Sequence, residues 1–215
     1  MSDILQPSQY CGRHGNTIFE AVAAICNIVA YTEVYKGSLC LLTIDFKEAF
    51  DRISHSCLYT ILREFGFSEE FCKRIQGFYA NVTSTLNINV NRSQPIPIQS
   101  SVRQGCPLSM SLFVSCLNPL LNPLQKKLTC VEIGGRGPKR TVSAYGDDVT
   151  IVVSKPEDMP IVHGTQRIYE RATGTKSNAQ NRRLLLWAHG THPWRSWTYL
   201  ITQKWRCLAF IYRIP

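Results

Sequence analysis

Three short stretches of this 215-residue sequence carry side chains that could do chemistry together. The first, Leu41-Leu-Thr-Ile-Asp45-Phe-Lys-Glu-Ala-Phe50-Asp51-Arg52, is an apolar run that ends in a carboxylate. A strand ending at Asp45 would project that carboxylate at the mouth of a sheet, although aspartate after a strand is also a favoured helix N-cap. The second, Tyr145-Gly146-Asp147-Asp148, sets two carboxylates side by side between strand-forming runs, Val142–Tyr145 and Val149–Val153. Adjacent carboxylates repel unless a cation or basic side chain stands close, yet Asp-rich turns are also common without any function. The third is Ser101-Val-Arg103-Gln104-Gly105-Cys106-Pro107-Leu108-Ser109. Its Gly-Cys-Pro core lets backbone approach a ligand, and Arg103 and Gln104 can reach along it. An ordinary loop entering a helix, with proline near N1, has the same form. Asp45 and Asp147 brought together would offer the hard oxygens that Mg²⁺ takes, one or two carboxylates completed by water and substrate phosphate. Two such ions about 3.5–4 Å apart stabilise the attacking and leaving oxygens of a phosphoryl transfer.

The elements that must position these groups follow from pattern and capping. Thr17-Ile-Phe-Glu20 is a capping box that opens a helix over 17–35. That helix is apolar nearly all round, which predicts burial, and Gly37 ends it. Ser38–Asp45 reads as a buried strand. Ser54 and Ser68 cap helices over 55–65 and 69–80, the first closed by Gly66. Leu86, Ile88 and Val90 alternate with polar residues, as in a half-buried strand. Asn91–Gln94 then turns, and Pro95–Gln99 returns as an edge strand, where proline is tolerated. After the Ser100–Gly105 loop a helix starts at Pro107 or Leu108 and runs to about Asn118, where Pro119 and Pro123 should kink or break it. Gly134–Pro138 is a turn, and Gly134–Arg140 lacks the Gly-Lys-Ser/Thr ending of a phosphate loop. Thr141–Tyr145 and Asp148–Val153 form a tight hairpin about Gly146-Asp147. Residues 157–173 are helical with an interruption at Pro160; Leu184–Trp187 and Thr198–Tyr212 are candidate strands, with loop over 188–197.

Composition narrows the partners. The charge is +9, from 24 Lys+Arg against 15 Asp+Glu, which favours an acidic partner, most commonly nucleic acid. Nine cysteines without any CxxC pair read as buried, reduced thiols in a reducing compartment. His189 and His192 have no cysteine pair at ligand spacing and read as loop histidines, not zinc ligands. Met1–Asp3 is not the basic start of a secretory leader, and no segment reaches the roughly 18 apolar residues of a membrane span. The sequons at Asn81 and Asn91 therefore carry no weight.

Taken in order, the three stretches resemble the reverse transcriptases of non-LTR (LINE-type) retrotransposons. Asp45–Asp51 resembles their motif A, Arg103–Ser109 their motif B, and Ala144–Asp148 their motif C. Gln6–Ile18 is similar to the segment that precedes motif A, and Thr173–Asn178 to a degraded motif D; the resemblance covers roughly residues 4–183. It implies an α+β right-hand polymerase palm, a small antiparallel sheet with packed helices, and incomplete fingers and thumb. Residues 1–183 would be palm with partial fingers, and 184–215 a C-terminal remnant in which Trp205–Tyr212 descends from primer-grip strands. Asp45, Asp147 and Asp148 would be the catalytic carboxylates and would hold two Mg²⁺ ions, with Mn²⁺ as a substitute. Phe46, Phe50, Arg103, Gln104, Gly105 and Lys176 would contact substrate. Phe50 matches the position whose ring crowds a ribose 2′-hydroxyl, Gln104 and Gly105 meet nucleotide and template backbone, and Lys176 neutralises phosphate. The reaction implied is RNA-directed DNA synthesis from dNTP on an RNA template and DNA primer, with no membrane partner, in nucleus or cytoplasm. Gly146 replaces a more usual alanine, and Gly-Asp-Asp also resembles viral RNA polymerases, which place a polar residue where Phe50 stands. Met110 and Asn181 depart from a proline and a lysine. The basic fingers residues that grip the triphosphate are not among those recognised, so a catalytically inactive nucleic-acid-binding relic is the alternative, and an unstable fragment a third reading.

Overall fold

The sheet is organised about β1, Ser38–Ile44, whose seven residues sit in the middle of five strands. The structure, a computed structural model, describes residues 5–35, 37–130 and 140–178, together with the backbone of 183–188 and 208–212. In chain order the elements are α1 (Ile18–Val34), β1, β2 (Phe46–Lys47), α2 (His55–Glu64), α3 (Glu69–Tyr79), β3 (Thr83–Ser84), β4 (Asn87–Ile88), β5 (Asn91–Arg92) and β6 (Ile96–Pro97). There follow α4 (Pro107–Lys127), β7 (Val142–Tyr145), β8 (Asp148–Val153), α5 (Met159–Thr173), β9 (Lys176–Ser177), β10 (Arg183–Ala188) and β11 (Leu208–Tyr212). The main sheet runs β11-β10-β1-β8-β7. All its pairs are antiparallel except β10 with β11, so the C-terminal edge adds a parallel pair to the expected antiparallel arrangement.

Side-chain alternation along β1 decides what each face meets. Cys40, Leu42 and Ile44 point into the main core, together with Val149, Ile151 and Val153 of β8 and residues of α2, α4 and α5 such as Leu58, Leu117 and Tyr169. Leu39 and Leu41 face the other way and pack with Val152 against Ile28 of α1. Beyond that contact the second face carries Thr43 and Thr150, both half-buried and paired across β1 and β8.

The caps appear where the sequence puts them: Thr17 and Glu20 close the capping box on α1, and the Ser54 and Ser68 hydroxyls accept from Cys57 N and Phe71 N at 3.1 and 3.2 Å. Four expectations need correction. α1 is not buried. Only Ala21, Ala24, Ile28 and Thr32 are covered, while Phe19 and Val34 are 78% and 75% exposed, because the sheet presents surface to one side of the helix only. Nor is 86–90 a half-buried strand: Leu86, Ile88 and Val90 are exposed on a short ribbon of β4 and β5 and join none of the buried clusters among the described residues. Pro119 and Pro123 do not break α4. A proline in a helix interior costs about 3 kcal/mol, but Leu112, Leu117, Leu120, Leu121 and Leu124 are fully buried, at roughly 1.5–3 kcal/mol each. Packing therefore outweighs both interruptions and the helix runs 21 residues. Pro160 interrupts nothing either; it lies in the first turn of α5, where its missing N–H is no loss.

Of the eight described cysteines, Cys11, Cys40, Cys72 and Cys116 are buried and all eight are free thiols, but Cys26 and Cys106 are exposed, contrary to the expected burial. The Gly134–Pro138 turn, the 188–197 loop and the His189–His192 pair lie wholly or mostly outside the described residues. Among the described residues no helix is long and apolar enough to cross a membrane.

Candidate active site

Asp45 is the residue on which β1 leaves the main sheet. The ladder that pairs Thr43 with Thr150 and Ile44 with Val149 ends one residue short of both Asp45 and Asp148, and the charge of Asp45 is felt at the Asp148 carboxyl. Ile44 points into the core, so Asp45 falls on the opposite, open face with Thr43. The chain then pairs with β9 instead: Asn178 N donates to Asp45 O at 2.8 Å, and Asn178 Nδ2 reaches Asp45 Oδ2 at 3.3 Å.

The other two carboxylates come from the tip of the β7–β8 hairpin. Tyr145 pairs with Asp148, leaving a two-residue loop of Gly146 and Asp147. Gly146 has φ +63° and Asp147 does not have a positive φ. This is the type II′ pattern, in which glycine is favoured at the first position and the turn twist matches the strands. The loop is held from outside by Gln9, which is fully buried. Its Nε2 donates to Gly146 O and its Oε1 accepts from Gly146 N, both at 3.1 Å, while Oε1 also accepts from Cys11 N at 3.0 Å. Main-chain bonds on either side of Gln9, Tyr10 N to Ala144 O and Ala144 N to Ser8 O, both 2.8 Å, dock this segment along β7.

Three carboxylates thus share one end of the sheet. The Asp148 carboxyl is pushed above the usual carboxylate range by partial burial, and then by the charges of Asp147 and Asp45. The residue as a whole stays exposed, so solvent screens much of that repulsion. Among the described residues no group of three or more His, Cys, Asp or Glu is arranged to hold a metal ion. Mg²⁺ does not require such a cage, since it keeps waters and takes one or two carboxylates plus substrate phosphates. Hard oxygens under mutual repulsion at Asp148 fit a divalent cation of this kind.

The Ser101–Ser109 stretch is tied to the segment that follows Asp45 in the chain. Val102 N donates to Phe50 O at 2.7 Å and Ser101 N to Ile53 O at 2.9 Å, which ties the loop to the segment after β2. Gln104 Nε2 makes long contacts with both Asp51 carboxylate oxygens, 3.3 and 3.4 Å. Arg103, Gln104 and Gly105 are exposed, Gly105 has φ +79°, and they line a cleft of about 580 Å³ with Phe78, Tyr79 and Cys106. Cys106 is the N-cap of α4, and its thiol is pushed down by hydrogen bonding to Leu108 N–H, with smaller help from Ser109 and the Arg103 charge.

The Phe50 ring is half-buried and stacks on Phe113 at 4.6 Å. Phe46 is 4% exposed, its ring edge-on to Tyr169, so the ring is core and only the main chain is left to face a ligand. Lys176 is exposed on β9. Neither Gln9 nor Asn178 stands out by residue type; the only signal for each is a place in a stretch that resembles a family segment, Gln6–Ile18 and Thr173–Asn178.

Comparison with known proteins decides the family. Residues 1–182 match the family described as Reverse transcriptase (RNA-dependent DNA polymerase). The chain belongs to the reverse transcriptase family. Its relatives are non-LTR retrotransposon proteins. It is 30% identical over 178 residues, 83% of its length, to the transposon TX1 uncharacterized 149 kDa protein of Xenopus laevis, and covers 14% of that protein. It is 30% identical over 143 residues to a Pol polyprotein from the type-1 retrotransposable element R2 of Popillia japonica, covering 65% of this chain and 20% of that one. Among solved structures, telomerase from Candida tropicalis in complex with a fragment of telomeric RNA superposes with TM-score 0.62 at 12% identity, over 81% of this reverse transcriptase and 30% of the telomerase. Telomerase from Candida albicans superposes with TM-score 0.59 at 13% identity, over 86% and 32%. These likenesses establish the fold, an α+β polymerase palm. The reverse transcriptase chain spans 14–20% of the length of these two relatives.

Proposed function

We propose that this chain is the palm of an RNA-directed DNA polymerase of the non-LTR retrotransposon type, extending a DNA primer on an RNA template. The observation that carries the reading is the meeting of Asp45 with Asp147-Asp148 on the open face at one end of the sheet. Asp45, Asp147 and Asp148 would hold two Mg²⁺ ions, with Mn²⁺ as a substitute. When bound, such ions lower the pKa of the primer 3′-hydroxyl and offset the charge of the departing pyrophosphate. The chain's own residues do the positioning. Gln9 fixes the height of the Asp147 turn, and Asn178 orients the Asp45 carboxylate. The Phe50 ring, braced by Phe113, would crowd a ribose 2′-hydroxyl and favour dNTP. The exposed loop of Arg103, Gln104 and Gly105 offers side chains and a bare backbone to nucleotide and template, while Phe46 contributes main chain only. Lys176 supplies positive charge for phosphate. We divide the chain at residue 183, since the family match ends at 182; β10 and β11 after it widen the palm sheet and are candidates for primer-grip strands.

The net charge of +9 also suits a relic that binds nucleic acid without turnover. Incorporation of labelled dTTP on oligo(dT)-primed poly(rA) with Mg²⁺ separates the two. Incorporation by wild type that is lost in Asp147→Ala/Asp148→Ala supports the polymerase. Folded protein that binds the primed template but incorporates nothing, with or without those substitutions, leaves the relic.

A further inference from the structure

Between β6 and α4 the chain passes through a strained residue. Ser101 has φ +117°, a backbone conformation that a residue with a Cβ seldom adopts and that persists only where its surroundings over-determine it. Most of those surroundings are main chain. Ser101 N donates to Ile53 O at 2.9 Å, Val102 N to Phe50 O at 2.7 Å and His55 N to Gln99 O at 3.3 Å, so residues 99–102 are stitched along 50–55. One side chain joins the stitching at the strained residue itself: His55 Nε2 lies 3.0 Å from Ser101 O. A carbonyl only accepts, so Nε2 carries the hydrogen of this bond. His55 is the first residue of α2 and is 9% exposed, its ring 4.9 Å from that of Tyr79. Tyr79 in turn lines the cleft with Arg103, Gln104 and Gly105, whereas His55 is not one of the lining residues.

The carbonyl that His55 grips belongs to the peptide between Ser101 and Val102. Holding that peptide plane fixes ψ of Ser101, the angle at which the chain sets out for Arg103. Beyond it only Val102 is buried before the exposed residues 103–105, so the direction of the loop is set at these two positions. We propose that His55 is a positioning residue that latches the Arg103–Gly105 loop, through the Ser101 carbonyl, in the direction from which it meets nucleotide and template. What the loop meets rests on the polymerase reading above; the latch does not.

Three substitutions separate the bond from the ring. Glutamine and leucine are close in size and both lose the ring contact with Tyr79, but only glutamine can donate to Ser101 O. His55→Phe keeps a ring beside Tyr79 and has no donor. The first readout needs no activity. It is the rate at which trypsin cuts the full chain after Arg103, followed by mass spectrometry at a temperature where circular dichroism shows each variant folded. Such cutting follows the population of the opened loop. His55→Leu and His55→Phe should be cut about tenfold faster than wild type, the scale of one lost buried hydrogen bond, and His55→Gln at the wild-type rate. The second readout is dTTP incorporation on oligo(dT)-primed poly(rA). The two donorless variants should raise the dTTP KM with kcat little changed, and His55→Gln should restore it. Wild-type cutting rates in both donorless variants overturn the latch. Equally fast cutting of all three variants also overturns it, in favour of the ring. A freed loop with unchanged dTTP KM in an active chain overturns the positioning role. A wild type that incorporates nothing while the cutting pattern holds sinks the polymerase reading and leaves the latch standing.

Discussion

Replacing Gln9 with alanine should unlatch the carboxylate turn, and its cost can be worked from the bonds it makes. The side chain is fully buried and satisfies Gly146 N–H, Gly146 C=O and Cys11 N–H at 3.0–3.1 Å. Gly146 is itself buried, so no solvent waits to replace those partners. A buried group left unsatisfied costs about 1–3 kcal/mol. Taking the low end for three groups that share one relaxing site gives about 3–5 kcal/mol, a large part of the roughly 5–15 kcal/mol that holds a domain together. For a chain of this length that is a fall in Tm of about 6–20 °C. Urea unfolding followed by far-ultraviolet circular dichroism measures it. Gln9→Glu separates the bonds from the volume: it keeps both acceptor functions, loses the donor to Gly146 O, and brings a fourth carboxylate to the site, so it too should destabilise. Unfolding of Gln9→Ala within about 1 kcal/mol of wild type would refute the reasoning, since that is the least cost of one buried group left unsatisfied and three are at stake.

Three further outcomes follow from the same geometry. Asp148→Asn removes one carboxylate from the cluster, so in EDTA at low salt it should raise stability by about 0.2–1 kcal/mol; thermal melts with added Mg²⁺ should stabilise wild type more than the variant, and the gain without metal should shrink as salt screens it. Val90 sits at φ +71° and is 98% exposed, so Val90→Gly relieves about 1–2 kcal/mol of left-handed strain against about 0.5–1 kcal/mol of added chain entropy, a net gain between zero and about 1.5 kcal/mol that a drop in urea midpoint would contradict. Iodoacetamide in the native state should label Cys106 well before Cys40 or Cys116, because the first thiol is exposed with its pKa pushed down while burial pushes Cys40 to about 12 and Cys116 higher still; peptide mass spectrometry over a pH series should show Cys106 labelling already rising at lower pH, and simultaneous labelling of all three would mean the core is open.

What could be read in the sequence was what is local. The strand ending in Asp45, the hairpin about Gly146-Asp147 and the caps at Thr17, Ser54 and Ser68 each rest on a few consecutive residues, and each appears in the structure. What depends on distant surfaces did not show. α1 has apolar residues on every side, but burial is decided by whether another element arrives to cover them, and for Phe19 none does among the described residues. Proline propensity predicted a break in α4, but five buried leucines outside that local rule keep the helix whole. Gln9 lies 137 residues from the glycine it holds, a separation across which no spacing rule operates. Phe46 belongs to a motif by position, yet alternation turns its ring inward.

The loop between β7 and β8 holds only Gly146 and Asp147, and β1 is zipped to a neighbour on both edges. No slack exists on either side of the carboxylates. A substitution here changes one contact, but an inserted or deleted codon in β1 or the hairpin would slide a ladder by one step, and a one-step slide swaps the two faces of a strand. Asp45 would then point into the leucines of the core. Point changes in this sequence can therefore leave the geometry of the site in place, whereas a single in-frame indel between residues 38 and 47 extinguishes it at once.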